Sequence, residues 1–297
     1  MASATGFEHR ALPYRDDDDF LDGTVPFVLE GLAGDGAVLA ALGPRQTDLL
    51  QDALGPTADR VEFVAMREAG RNPARIIPVW TEFVNRATPG RPLRGIGEPV
   101  WPGRASEEIV ECEHHEALLD LAFADGRPWA LLCPYDAHHL PADVVARAVT
   151  GHATGPHRPG LLTDPLPLPP AVHEERAFER TDRAFRRFVS GQAMASGLDR
   201  VAAEEFLLAV HEIATNSINH GGGRGLLRVW TTSDAIVAEI TDAGWITDPL
   251  VGRRSPTSSQ IGGRGVWISN ALCDLVQIRS DATATTVRLH RRLQPTA

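Results

Sequence analysis

Short continuous apolar runs and segments of helical spacing take turns through the first half of the chain. "GAVLAALG" (Gly36–Gly43), "VEFVAM" (Val61–Met66), "LRGIGEPVW" (Leu93–Trp101) and "WALLCPY" (Trp129–Tyr135) read as strands. Between them, "RQTDLLQDALG" (Arg45–Gly55) reads as a helix stopped by glycine, and "PARIIPVWTEFVNRA" (Pro73–Ala87) as a helix kinked at an internal proline. "SEEIVECEHHEALLDLAF" (Ser106–Phe123) reads as a long helix with a near capping box, its Glu one position early. "PADVVARAVTGH" (Pro141–His152) closes the half as a helix. The acidic run Asp16–Asp19 reads as a solvated turn ahead of a helix, where negative charge suits the N-terminal dipole. Such alternation predicts a mainly parallel α/β sheet.

The pattern changes across "GPHRPGLLTDPLPLPP" (Gly155–Pro170). Proline at that density blocks helix interiors and sheet ladders, so this stretch reads as a linker. Beyond it, "HEERAFERTDRAFRRFVSGQAMASG" (His173–Gly197) has the spacing of one amphipathic helix. "DRVAAEEFLLAVHEIATNSINHG" (Asp199–Gly221) has that of a second, with Asp199 as N-cap. Strands follow at "LLRVWTTS" and "AIVAEITDAG", then a helix near "GVWISNALCDLV", then strands at "VQIRS" and "TTVRLHRRL". Helices first and hairpin strands later predict an α+β unit, with helices on one face of a mixed sheet. The predicted divisions are a first domain at 1–152, a linker at 153–172 and a second domain at 173–297.

The second of those helices carries an unusual polar face. At about 100° per residue, Glu212, Asn216, Asn219 and His220 share one arc, and Leu207, Val210, Ala214 and Ile218 lie opposite. The arc presents a carboxylate, two amides and an imidazole, then runs into Gly221–Gly223. An amide oxygen is a hard ligand suited to Mg²⁺, and a carboxylate one turn away can accept a proton. Taken alone, an exposed helix face with a glycine cap explains the same residues equally well. Two later stretches add to it. Asp242 and Gly244 end an apolar strand, and Gly262, Gly263 and Gly265 open a helix whose free N–H groups make an anion site.

Composition narrows the options. The 297 residues suit two domains, and the formal net charge of −10 argues against a general affinity for DNA or anionic membrane. All basic residues besides histidine are arginine. The three cysteines, Cys112, Cys133 and Cys273, show no CxxC spacing, so buried reduced thiols are expected rather than disulfides or structural zinc. No signal peptide and no membrane-spanning run is evident, which predicts a cytoplasmic protein.

The order and spacing of these stretches over residues 173–292 resemble the GHKL ATPase superfamily, and within it the anti-sigma-factor serine kinases. "EIATNSINH" looks like the N box, "DAG" the first glycine box and "GGRGVWISNALCD" the second. "TATTVRL" (Thr283–Leu289) resembles the terminal strand, with Thr285 as the adenine-supporting threonine. The resemblance implies a Bergerat α/β sandwich with Asn216 as the Mg²⁺ ligand, Glu212 as general base and Asp242 on the adenine amino group above Gly244. It further implies that Gly263 and Gly265 present N–H groups to the phosphates with Arg264 adding charge, that Asn219, His220 and Gly262 belong to the cofactor site, and that 247–261 is a lid ordered by nucleotide or partner. Two positions depart from the family: Ile246 follows Trp245 where a glycine is usual, and Ala284 stands where one commonly precedes the threonine.

"GTVPFVLEGL", "GRNPARIIPVW", "GIGEPVWPGR", "HEALLDLAF" and "LLCPYDA" resemble the MEDS sensory domain over about residues 7–152, implying a degenerate RecA-like fold and a sensory role. "AALGPRQTDLL" has the layout of a phosphate loop but lacks its Gly-Lys-Ser/Thr ending, which argues against triphosphate hydrolysis there. Glu98, Trp101, Arg104, His115, Glu116, Cys133, Tyr135 and Asp136 are the candidate sensory pocket, at strand ends or on the adjoining helix. Within "CEHHE", His114 and His115 point about 100° apart, which favours core packing and one polar contact over a shared metal.

Together the resemblances imply an anti-sigma regulator. It would use ATP and Mg²⁺ to phosphorylate a serine of an anti-anti-sigma (STAS) partner, or bind a sigma factor, under an unidentified small-molecule or protein signal. Kinases of this kind are commonly dimers, so a homodimer is implied. Two alternatives stand beside it: an ATP-dependent binding module without transfer, and a sensor histidine kinase using His173, whose surroundings lack the long dimerising helices.

Overall fold

The computed structural model describes residues 6–154, 162–171, 173–256 and 263–293. It divides into two compact units, Met1–Arg158 and Pro159–Ala297. In the first, the elements are β1 (Phe7–Tyr14), α1 (Asp17–Leu32), β2 (Ala37–Leu42), α2 (Pro44–Leu54), β3 (Val61–Ala65), α3 (Met66–Ala69), α4 (Ile76–Arg86), β4 (Leu93–Gly97), α5 (Ser106–Phe123), β5 (Trp129–Asp136) and α6 (Ala142–Thr154). The five strands are ordered β1-β5-β4-β2-β3, and every ladder is parallel.

Parallel strands need crossovers, and these helices cover both sheet faces. Phe20, Phe27 and Val28 of α1 and Leu50 of α2 form one core with Val38, Ala40, Leu42, Ile96 and Leu132. Asp16 caps α1 through the Asp19 N–H at 2.9 Å, so the acidic run is a helix start. The near capping box at Ser106 does not form: Ala105 is the N-cap position and the Ser106 hydroxyl donates to the Glu107 carboxylate. Pro78 falls in the first turn of α4, where its missing N–H has no intrahelical partner to lose. β1, which carries few large apolar side chains, is a strand that the apolar runs do not announce.

The second unit contains β6 (Glu174–Phe178), α7 (Arg183–Ala195), α8 (Arg200–His220), β7 (Gly225–Thr231), β8 (Ala235–Asp242), α9 (Gly265–Leu272), β9 (Leu275–Ser280) and β10 (Thr285–Arg292). Its strands are ordered β6-β7-β8-β10-β9. All the ladders are antiparallel, which corrects the mixed sheet expected from sequence. The predicted helix at His173–Gly197 is also corrected. Its first part is the edge strand β6, and α7 starts only after Asp182, whose carboxylate accepts from the Ala184 and Phe185 N–H groups at 2.9 and 3.0 Å. Phe185, Val189, Phe206, Val210 and Ile213 then close a core against Leu227, Ile236, Ala238, Ile240 and Leu289.

The opposite sheet face joins a small apolar cluster, Trp230, Ala235 and Val237, to a group of buried charges, and carries a strap. Glu239 accepts from Arg288 at 2.6 Å and from Arg228 at 3.2 Å. Part of the predicted linker lies over these groups. Arg288 donates to the Pro167 carbonyl at 2.7 Å, Arg279 to that of Asp164 at 2.7 Å, and the Ser280 N–H to that of Leu162 at 2.6 Å. A proline-rich backbone keeps its carbonyls free to accept such bonds. Residues 162–170 are therefore part of the second unit's surface.

Candidate functional site

Helix α8 presents the polar arc. Glu212 and Asn216 are half-buried, and Asn219 and His220 are exposed at its end. Helix α9 begins against the first two. A β-carbon added at Gly265 would lie 3.0 Å from Asn216 Nδ2 and 3.1 Å from Glu212 Oε2, so a side chain there would have to displace both groups. The Ser269 hydroxyl, bonded to the Gly265 carbonyl at 2.9 Å and the Ala209 carbonyl at 3.2 Å, fixes that approach. Gly263 and Arg264 lead into α9 and are exposed. Gly262 lies outside the described residues.

At the next residue of α8, Ser217, a second polar group forms around Asp242. Its Oδ2 accepts from the Ser217 hydroxyl at 2.5 Å and its Oδ1 from the Gly244 N–H at 2.7 Å. A carboxylate has about four acceptor sites, so it can accept once more. At Gly244 an added β-carbon would lie 2.8 Å from Asp242 Oδ1 and 3.2 Å from the His220 carbonyl, which leaves flat backbone beside the acid. Thr285, buried and in register with Asp242, donates to the Gly244 carbonyl at 2.9 Å and shares a 2.7 Å bond with Ser280 Oγ. Ser280 Oγ in turn accepts from the Ile246 N–H at 2.8 Å. Ser217 and Ser280 are the residues that sequence reading left without a role. Ser217 stands inside the quoted N-box stretch, one residue after Asn216, and that placement was the available signal.

Of the expected lid, residues 247–256 are described and form a turn held on α9: Leu250 is buried, and Asn270 Nδ2 donates to the Gly252 carbonyl at 2.9 Å. Residues 257–261 lie outside the described part. His173 precedes the edge strand β6, its Nδ1 paired with the Pro170 carbonyl at 2.8 Å, and is not on a helix.

In the first unit the predicted sensory residues separate into groups. Glu98 stands at the carboxyl edge of the sheet, accepting from the Tyr14 hydroxyl at 3.0 Å and the Gly43 N–H at 3.2 Å. Gly43 is the N-cap of α2, so the protein's own carboxylate takes the place an anion would hold in a phosphate loop. Burial drives Glu98 up to about 7, against the hydrogen bonds from Gly43 and Tyr14. Asp136 caps the following turn through the His138 and His139 N–H groups, both at 3.0 Å. Arg104 is a buried clamp that donates to the carbonyls of Pro99 and Gly70 at 2.9 and 2.8 Å and stacks on Trp101. His115 is buried elsewhere on α5.

Glu116, Cys133 and Tyr135 meet on the other side of the sheet. Glu116 Oε2 lies 2.7 Å from His9 Nε2 and 3.1 Å from His152 Nε2, and His9 Nε2 lies 3.3 Å from Cys133 Sγ. A cavity of about 330 Å³ opens beside them, lined in part by His9, Glu116, Tyr135 and His152. Burial alone would raise the Glu116 carboxyl, but His9 and His152 hold it well below the usual carboxylate range. Burial opposes charge on His152, while its bond to Glu116 raises it above an ordinary imidazole. Burial pushes the Cys133 thiol and the Tyr135 phenol well up. The adjacent His114 and His115 do not form the cluster; His9 and His152, from β1 and the end of α6, were missed. Phe7, His9 and Ala11 alternate on one face of β1, which was the one sequence signal for it.

A parallel sheet between helices followed by an antiparallel sheet under helices defines an α/β domain and an α+β domain in one chain. Residues 8–153 match the family model of MEDS, the methanogen/methylotroph, DcmR sensory domain, and residues 177–291 that of the histidine kinase-like ATPase domain. The chain thus carries a MEDS domain followed by a histidine kinase-like ATPase domain. A crystal structure of the RsbU and RsbW domains of Rv1364c from Mycobacterium tuberculosis is similar at 18% identity, with a TM-score of 0.30, over 42% of this chain and 34% of that chain. The chain spans about a third of that relative's length. No curated protein matches it. No described helix is long and apolar enough to cross a membrane.

Proposed function

We propose that the protein is a cytoplasmic anti-sigma regulator. In this reading the second domain binds Mg-ATP and phosphorylates a serine of an anti-anti-sigma (STAS) partner, or holds a sigma factor, and the first domain supplies the signal. One observation carries the reading: a single stretch of α8, Glu212–Gly221, faces the start of α9 through Glu212 and Asn216 and the end of β8 through Ser217.

Each residue then has a task. Asp242, fixed on two sides, accepts from the exocyclic amine of adenine, and Thr285 holds the Gly244 backbone beneath the ring. The α9 N-terminus, with Gly262, Gly263, Arg264 and Gly265, receives the phosphates, and Asn219 and His220 border them. Asn216 offers its amide oxygen to Mg²⁺, whose bound form neutralises phosphate charge. Glu212 takes the proton of the attacking serine hydroxyl. A homodimer belongs to the same proposal.

The test is incubation of the full chain with γ-labelled ATP and purified STAS proteins. Label on a STAS serine supports the kinase. A nucleotide-dependent complex without label leaves the binding module, and acid-labile label on His173 leaves the sensor histidine kinase.

A further inference from the structure

The cluster on the β1–β5 face has the composition of a metal centre. His9, Glu116, Cys133 and His152 each offer one ligand atom, and these atoms all lie within 4.8 Å of one another. In a zinc tetrahedron with bonds of roughly 2.0–2.3 Å, neighbouring ligand atoms stand about 3.3–3.6 Å apart. Three of the six separations, His9–Glu116 at 2.7 Å, Glu116–His152 at 3.1 Å and His9–Cys133 at 3.3 Å, lie at or below that spacing and the others within 4.8 Å, so side-chain movements of about an ångström or less would admit an ion.

The outward nitrogens fit as well. Both imidazoles turn Nε2 inward. His152 Nδ1 faces the Ala148 carbonyl at 2.7 Å, and His9 Nδ1 faces the Asp120 carboxylate at 3.9 Å. The carbonyl behind His152 is the arrangement that orients a metal-binding histidine, and Asp120 stands behind His9 beyond direct hydrogen-bond reach. The ligands come from four elements: β1, α5, β5 and α6. The sheet register therefore holds two of them and helix packing the other two. His9, Glu116 and His152 line the cavity, which gives an ion its way in.

From this geometry we infer that His9, Glu116, Cys133 and His152 bind one divalent transition-metal ion of the zinc class. The thiolate and imidazoles exclude Mg²⁺ and Ca²⁺, which take oxygen ligands. Binding releases the Cys133 thiol proton to solvent. The inference stands on the first domain alone and is independent of the ATP reading.

Full-length protein stripped with a chelator is titrated with Co²⁺ and Zn²⁺ in the absence of nucleotide. One equivalent binds, Co²⁺ develops a thiolate charge-transfer band, and Zn²⁺ raises Tm. Cys133→Ala abolishes the band, and His9→Gln and His152→Gln each weaken binding at least about tenfold. Asn216→Ala, in the nucleotide site, leaves the titration unchanged. Should the buried variants fail to fold, X-ray absorption of the wild-type zinc complex decides: about one sulfur at ~2.3 Å among nitrogen and oxygen neighbours is expected. No stoichiometric binding, a zinc shell without sulfur, or a band that survives in Cys133→Ala overturns the site and leaves a metal-free His–Glu–His clamp.

Discussion

Ser217 donates its hydroxyl proton to Asp242 across 2.5 Å, joining helix α8 to the end of strand β8. The serine is buried, one residue past Asn216, and so sets the direction of the acid without facing the pocket's open side.

Ser217→Ala is therefore expected to weaken ATP binding while leaving the fold intact. A hydrogen bond to a charged group contributes about 1.5–3 kcal/mol, and part of that is lost as misdirection of Asp242, so affinity should fall roughly tenfold. If Asp242 reads the base as proposed, discrimination between ATP and GTP should shrink with it. Calorimetry with both nucleotides checks this; unchanged affinity and selectivity would remove the positioning role.

Glu212→Ala separates binding from transfer. Loss of a positioned proton acceptor should cut phosphotransfer about 10²–10⁴-fold, with nucleotide affinity close to wild type. Single-turnover transfer beside a binding isotherm reads both quantities, and undiminished transfer would dismiss Glu212 as the base.

Asn216→Ala should remove the magnesium dependence of nucleotide binding. Titrating ATP with and without Mg²⁺ is the measurement. Wild type should gain affinity on adding the ion and the variant should not; an equal gain in both would move the ion elsewhere.

The buried Glu98 predicts a pH effect in the first domain. Its carboxyl rises from 4.5 to about 7 on folding, chiefly through burial. Below about 4.5 both states hold the proton and nothing is lost. As pH rises towards 7 the unfolded chain releases it first, so stability falls, by at most roughly 3 kcal/mol. Glu98→Gln keeps the shape and cannot ionise. Its Tm relative to wild type should thus rise between pH 5 and pH 8, and parallel curves would contradict the assignment.

The central strands and long helices were legible from pattern, because Ala37–Leu42 is apolar throughout and Ala235–Asp242 opens on four apolar residues. Of the four edge strands, β3 and β9 were read as strands and β1 and β6 were not. β1 and β6 are each paired on one side only, and "FEHRALPY" and "EERAF" carry charges and few large apolar groups. Phe178 and Phe185, seven residues apart, imitate a helical stripe although they sit on different elements and meet edge to face. The missed strand β1 also hid His9. At the candidate site the residue types were visible in the chain, but the Ser217 bond that orients Asp242 links positions 25 residues apart and needed the fold. The prolines of 162–170 spoke only of what that segment cannot form, not of which arginines its carbonyls would meet.

That segment has a consequence for where the ATPase domain physically begins. The family match starts at residue 177, whereas Leu162 already bonds Ser280, and Ser280 bonds Thr285, which holds the Gly244 carbonyl. The strap thus runs as a tie rod from Leu162 to the Gly244 carbonyl beside Asp242. A fragment trimmed to the match loses the rod and leaves Arg279 and Arg288 without the carbonyls of Asp164 and Pro167. A fragment meant to stand for the ATPase domain therefore has to begin at or before residue 162.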